Sequence, residues 1–446
     1  MKVLVLGWEY PPAVAGGLGA ACHGLTTALA DRGHEVILCT PADGAPADPA
    51  PYPGIERVSL GGDASFSPFH PGAVLDPYAV DTAPGSASAS GSLVPPVPTG
   101  AAVAGAASVE AGSTGLGSSR PDSHAQSARK LYGEDLSTAI QRYSREAVTR
   151  LKGRDFDVVH AHDWMTFPAA LRLRFARRRP VCLHVHSTAI DRGGVSAPGP
   201  VGSISAVERA GLRTADRVCA VSGFTRDLLV REYRLDPERV SVVHNAAPSG
   251  VDSSPERVVG PEGPTVLFVG RLTRQKGVGF LVRAAARVLE SCPAARFVFM
   301  GEGEDRTRMI EMAAALGIGR RVFFAGGVTS ELRDRAYAEA SVFVLSSVSE
   351  PFGLTPLEAL RGGAAPVLTD ACGVREVLPS APVCPPWDAA GLSAQIVTLL
   401  TDEARRLAVV EQGRAELERL TWAESARHLE AALEMARSTS GRRTTG

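Results

Sequence analysis

The feature that most limits what this chain can fold into is a rhythm of short apolar runs, each followed by a turn and a helical pattern, in two sets along 446 residues. The first run is Val3-Leu4-Val5-Leu6, closed by Gly7. A glycine cluster at Gly16-Gly17 follows, then a helical stretch over 20–31 stopped by Gly33, then a second run over 35–39. Strand, helix and strand in that order predict a parallel pair with its crossover helix packed on the sheet. Further runs lie at 158–161, 181–184, 217–221 and 240–243, after a helix over 134–152. A second set opens at 266–269 and continues at 297–300, 322–325, 342–345 and 365–368. The expectation is two doubly wound α/β domains, 1–250 and 264–420, with a cleft at their sheet ends. The Pro, Gly and Ser of 251–263 read as a linker. A last helix around 423–436, within a terminal segment 421–446, is expected to pack back on the first domain.

The rhythm lapses once. From about 42 to 127 the chain is rich in Ala, Gly, Pro and Ser, with stretches of order expected only at 55–60 and 66–77. Residues 82–127 lack any apolar periodicity and are expected to be a disordered insertion, because they bury too little surface to offset their chain entropy.

Composition closes off several classes. An apolar fraction of 44% is enough for a sizeable core, and a formal charge of −1 offers no basic surface for nucleic acid. The seven cysteines are scattered with no C-x-x-C pair, as expected of reduced thiols in a cytoplasmic protein. The opening apolar run is too short for a signal peptide, and no run reaches about 18 apolar residues. Peripheral contact with a membrane stays open.

The groups that carry chemistry sit where strands give way to helices in the second set. Gly270-Arg271-Leu272-Thr273-Arg274-Gln275-Lys276-Gly277 follows one strand run. Arg271 and Lys276 suit a diphosphate, the first by bidentate contact and the second as a point charge, and Arg274 is the solvated member. Ser349-Glu350-Pro351-Phe352-Gly353-Leu354-Thr355-Pro356-Leu357-Glu358 follows another, with Pro356 fit for a first helical turn. One carboxylate is placed to meet a sugar and the other to accept from ribose. A solvated basic loop and a carboxylate complementing a helix dipole have the same spacing, so neither pair alone decides the chemistry.

Taken together, Arg271, Lys276, Glu350 and Glu358 resemble the signature of family 4 and 5 retaining glycosyltransferases of GT-B fold. The first-set motifs Gly7-Trp8-Glu9-Tyr10-Pro11-Pro12, Gly16-Gly17-Leu18-Gly19, His160-Ala161-His162-Asp163-Trp164 and His184-Val185-His186-Ser187 are similar to those of bacterial glycogen and starch synthases. The likeness spans nearly the whole chain apart from the insertion. It implies two Rossmann-like domains facing a deep cleft, a nucleotide-diphosphate sugar as co-substrate and a carbohydrate acceptor. It also implies transfer of a hexose, glucose first, with no cofactor and no metal. By the same resemblance Gly16 and Gly17 would approach the donor phosphates, Arg271 and Lys276 would neutralise the diphosphate, and Glu350 would hold the sugar. Glu358 would hold the ribose, His186 would sit at the reacting centre, and His162 and Asp163 would line the cleft. Gly353, Leu354, Thr355, Gly301 and Gly326 complete the expected donor contacts.

Alternation on a strand puts His160 and His162 on one face with Asp163 next, which makes a metal site conceivable. No third ligand is evident from spacing, and Arg271 with Lys276 already supplies positive charge, so the expectation is metal-free. Asp191-Arg192-Gly193-Gly194 is a weaker candidate to touch the acceptor. Cys372 stands where the family usually has glycine and is expected to narrow the approach to the diphosphate. Competing readings are a transferase for a lipid, cell-wall or secondary-metabolite acceptor, a nucleotide-sugar epimerase or phosphorylase, and an inactive nucleotide-sugar-binding module.

Overall fold

The computed structural model describes residues 1–11, 16–41, 52–60, 136–193, 200–246 and 263–443. The insertion expected at 82–127, the order expected at 66–77, and residues 251–262 of the linker lie outside the described residues.

Two wholly parallel sheets carry the fold. In the first, β1 (Lys2–Leu6), β2 (Glu35–Pro41), β3 (Ile55–Leu60), β4 (Val158–His162), β5 (Val181–Val185), β6 (Arg217–Ala220) and β7 (Val240–Val242) lie in the order β3-β2-β1-β4-β5-β6-β7. In the second, β8 (Thr265–Val269), β9 (Arg296–Met300), β10 (Val322–Gly326), β11 (Val342–Leu345), β12 (Ala365–Thr369) and β13 (Val383–Cys384) lie in the order β10-β9-β8-β11-β12-β13. Both orders reverse direction between their first and fourth strands, so each sheet has a switch point at its centre: β1 beside β4, and β8 beside β11. Loops that leave adjacent strands toward opposite faces open a crevice there.

Residues of the central strands are buried on both faces because helices cover both, whereas the edge strands β3 and β10 keep exposed residues. Along β1, Leu4 and Leu6 join a core with Phe156, Val159 and Leu183, while Val3 and Val5 join another with Leu25, Leu29 and Val158. The last helix, Trp422–Arg443, supplies the remainder of this second core through Leu429, Ala432, Leu433 and Ala436. Alanines on that face let the helix approach closely. Gly24 does the same from helix Gly17–Asp31: a Cβ there would lie 2.2 Å from Trp422 Cε2. Ser425 Oγ donates to the His244 carbonyl at 2.7 Å, and Glu430 pairs with His34 and Arg32. The second sheet packs its own helices around Phe268, Phe297, Phe299, Val344 and Ile396. The two-residue β13 is too short to leave a periodic signal in the sequence.

Candidate active site

The loops after β8 and β11 are tied together at the second switch point. Gly277 has φ 64°, and a Cβ there would fall 1.9 Å from the Ser346 carbonyl oxygen, so both backbone and space require glycine. That close approach lets Ser346 Oγ donate to Lys276 O at 2.8 Å and Val348 N to Gln275 O at 2.8 Å. The two loops thereby present Lys276 Nζ to Glu350 Oε2 at 2.5 Å, and Ser347 Oγ donates to the same oxygen at 3.0 Å. The pair is mostly shielded, with side-chain exposures of 18% and 11%, so its charges act through a medium less polarisable than water. Arg271 begins the same loop and is half-buried, whereas Arg274 is exposed. Next to this pair Gly353, at φ 100°, turns the chain into helix Thr355–Gly362, whose Pro356 sits in the first turn. Its dipole favours an anion, although Pro356 has no N–H and the Leu357 and Glu358 amides donate to the Leu354 carbonyl. Glu358, one turn in, accepts the Tyr337 hydroxyl at 2.8 Å.

Cys372 does not narrow this site. Its side chain is fully buried and its thiol donates to the Thr369 carbonyl at 2.9 Å, so the sulfur points into the core. The indispensable glycine is Gly373, where a Cβ would lie 2.2 Å from the Pro351 carbonyl oxygen and 2.5 Å from Ser222 Oγ. Gly301 and Gly326 pack loops together. The Gly301 amide donates to the Gly326 carbonyl at 2.8 Å, and a Cβ at Gly301 would fall 2.0 Å from Gly270 O.

The first domain contributes the opposite wall. Gly16 is the N-cap of helix Gly17–Asp31, and its amide donates to Glu9 Oε2 at 3.1 Å. Gly17 faces Leu354 across the crevice, where a Cβ would meet Leu354 Cδ1 at 3.2 Å. His162 and Asp163, expected to line the cleft, are buried instead, at 0% and 5% exposure. The physical reason is the turn after β4. Asp163 sits in the left-handed region at φ 58°, which directs its carboxylate to the His186 amide at 2.7 Å and the Ser187 amide at 3.4 Å. Burial pushes that carboxyl up to about 7, against the pull of those amides and of Arg192. Asp163 is therefore a positioning residue for His186, whose Nε2 lies 2.9 Å from His162 Nδ1. His186 alone of these three keeps partial exposure.

Several side chains hold the walls together, among them Asp191 of the loop expected to touch the acceptor. Ser349 Oγ donates to Asp191 Oδ1 at 2.6 Å, and Asp191 also accepts from Thr188 N and Oγ1, both at 2.8 Å. Asp191 is thus a bridge between domains. Ser222 Oγ donates to the Pro351 carbonyl at 2.5 Å. Glu376 accepts from the Gly223 and Phe224 amides, each at 2.8 Å, at the start of helix Gly223–Glu232, and lies 3.0 Å from His244 Nε2. Burial raises the Glu376 carboxyl, but His244 and the two amides outweigh it and hold it below the usual value.

Three family models match successive parts of the chain: a starch synthase catalytic domain over residues 2–58, a glycosyl transferase 4-like domain over 98–246, and glycosyl transferases group 1 over 253–416. An uncharacterized glycosyltransferase of Methanocaldococcus jannaschii is 27% identical over 392 residues, 85% of this chain and 83% of its own. The glycogen synthase of Mycobacterium tuberculosis is 28% identical over 438 residues, 94% of this chain and 90% of its own. Among solved structures, sucrose-phosphate synthase from Thermosynechococcus elongatus superposes with a TM-score of 0.69 at 19% identity, covering 97% of this chain and 98% of that one. Anabaena HepE, in complex with UDP and glucose, gives a TM-score of 0.61 at 16% identity over 97% and 99%. Identities this low bear on the fold alone. No helix among the described residues is long and apolar enough to cross a membrane. Each of the three successive matches is to a glycosyltransferase or starch synthase model, and with its two parallel sheets facing one another across paired switch points the chain has the GT-B fold of glycosyltransferases.

Proposed function

We propose that this glycosyltransferase moves a hexose, with glucose the first candidate, from a nucleotide-diphosphate sugar to a sugar or glucan acceptor, with retained anomeric configuration. The observation that carries the reading is the shielded Lys276–Glu350 pair at the second switch point, beside Arg271 and the N-terminus of helix Thr355–Gly362. A departing diphosphate gathers negative charge as the sugar becomes cationic. Cations and a helix N-terminus stabilise the first, and a carboxylate at the sugar stabilises the second. In this reading Arg271 and Lys276 take the phosphates, Glu350 the sugar hydroxyls and Glu358 the ribose. His186, held by Asp163 and His162, faces the reacting carbon.

Retention by double displacement needs a free carboxylate on the opposite sugar face. The first-domain carboxylates Glu9, Asp163 and Asp191 are each engaged by backbone amides, and Asp191 by hydroxyls as well. Attack from the leaving-group side, with a phosphate oxygen taking the acceptor proton, is the reading they favour. The similarity to a glycogen synthase supports glucose and a glucan; HepE, solved with UDP and glucose, supports a nucleotide donor.

The test is a donor screen with ADP-glucose, UDP-glucose and GDP-mannose, followed by kinetics of Lys276→Ala and Glu350→Ala. Each variant is expected to lose roughly 100-fold or more in kcat, about 3 kcal/mol of transition-state stabilisation, with an unchanged circular dichroism spectrum. Restoring Mg2+ or Mn2+ to chelator-treated enzyme is expected to leave the rate unchanged. Near-normal turnover in either variant, or an absolute requirement for Mg2+, would overturn the assignment.

A further inference from the structure

Four imidazoles meet on one face of the first sheet, directly behind the crevice. β4 carries His160 and His162, β5 carries His184 and His186, and the parallel register sets His162 beside His184. Ring centres of His160 and His162 lie 4.3 Å apart, those of His162 and His184 5.4 Å, and those of His160 and His184 5.4 Å. His160 Nε2 stands 3.2 Å from His184 Nδ1. These three residues are 1%, 0% and 0% exposed.

Each of the three still has a ring nitrogen that is buried and has no hydrogen-bond partner: His160 Nδ1, His162 Nε2 and His184 Nε2. A buried polar atom left unsatisfied costs about 1–3 kcal/mol, and three such nitrogens lie within this one cluster. One ligand nitrogen from each lies within 4.8 Å of the others. Two imidazole nitrogens on a tetrahedral zinc, each at about 2.1 Å from the metal, are about 3.4 Å apart; His160 Nε2 and His184 Nδ1, which face one another at 3.2 Å, have close to that spacing, and a cation between them would replace their hydrogen bond.

We propose that His160, His162 and His184 bind one divalent cation of the zinc class. Nitrogen donors select late first-row metals over Mg2+ and Ca2+. The register adds sulfur, not oxygen, at the border, with Cys182 beside His160 and Cys219 beside His184. The cation sits one layer behind the crevice and fixes His162, which holds His186. This site is separate from the diphosphate site proposed above and stands or falls without it.

Cobalt is the probe. Co2+ titrated into the full chain is expected to bind at one equivalent, with the intense visible absorption of a tetrahedral centre, and to be displaced by Zn2+. His160→Gln and His184→Gln are each expected to weaken that binding at least 100-fold while the circular dichroism spectrum stays unchanged. Because a buried substitution can prevent folding, the wild-type chain crystallised with one equivalent of Zn2+ supplies a second measurement. A single anomalous peak between the three rings at the zinc edge supports the site. No stoichiometric Co2+ binding, undiminished binding in both folded variants, or an anomalous peak elsewhere overturns it.

Discussion

The two domains bring opposite chemistry to the same crevice. The second presents charge on loops: Lys276 and Glu350 in contact, Arg271 beside them and a helix N-terminus next in line. The first presents neutral rings on strands, His160, His162 and His184, with one carboxylate, Asp163, turned inward to backbone amides. Loops at a switch point remain partly solvated and hold charge cheaply, whereas a strand face under a helix does not. Under the proposed function, the difference assigns management of the leaving group to the second domain, and the first would supply shape, orientation and exclusion of water. A second contrast runs beneath it. The second sheet is covered by helices that lie between its own strands or directly after them, but the first is completed by the last helix of the chain.

That second contrast can be broken by removing the helix's grip. Replacing Leu429 and Leu433 together with alanine is expected to cost about 2–5 kcal/mol per site, comparable with the whole stability of a typical domain. Hydrogen exchange should then show β1 and β4 deprotected while β8 and β11 stay protected. Equal loss of protection in both sheets would mean that the domains do not differ in this dependence.

The inward carboxylates sharpen the first contrast through pH. Glu208, 2% exposed, accepts from the Ala189 amide at 2.9 Å and pairs with Arg192 at 3.3 Å and with the Tyr233 hydroxyl, yet burial still lifts its carboxyl to about 7. A carboxyl raised on folding holds its proton more tightly in the native state. Its contribution is therefore complete below about pH 4.5 and is lost as pH rises to about 7. Glu208→Gln is expected to flatten that slope, a change on the order of 1–3 kcal/mol between pH 5 and 8. Urea midpoints measured at each pH in parent and variant decide it; two parallel profiles would refute it.

The smallest effect concerns the joint between the two chemistries. Glu376→Ala removes the acceptor for the Gly223 and Phe224 amides and the partner of His244. A loss of about 1–2 kcal/mol is expected, read in calorimetry as two domain transitions drawing apart. A single unshifted transition would show that the joint contributes nothing to coupling.

Much of this was legible in the residues. The central strands announce themselves as apolar runs, because burial on both faces disfavours polar interruption, whereas the edge strand β3, Ile55-Glu56-Arg57-Val58-Ser59-Leu60, does not. The histidines on β4 and β5 are the exception that the sequence also displays. What spacing hides is pairing. Lys276 and Glu350 are 74 residues apart, and Ser349 and Asp191 are 158 apart. His184 becomes a third neighbour of His160 and His162 only through the parallel register. Cys372 reads as an obstruction until its thiol is seen bonded to the Thr369 carbonyl.

The sequence by itself determined two doubly wound domains, the break in the first and the residue types the chemistry requires, since these follow from local periodicity and turn chemistry. Tertiary structure alone decided which of those groups meet, which way Asp163 and Cys372 face, and that the last helix closes the first core. Each of those depends on backbone register and close approach between segments far apart in the chain, and no local pattern encodes either.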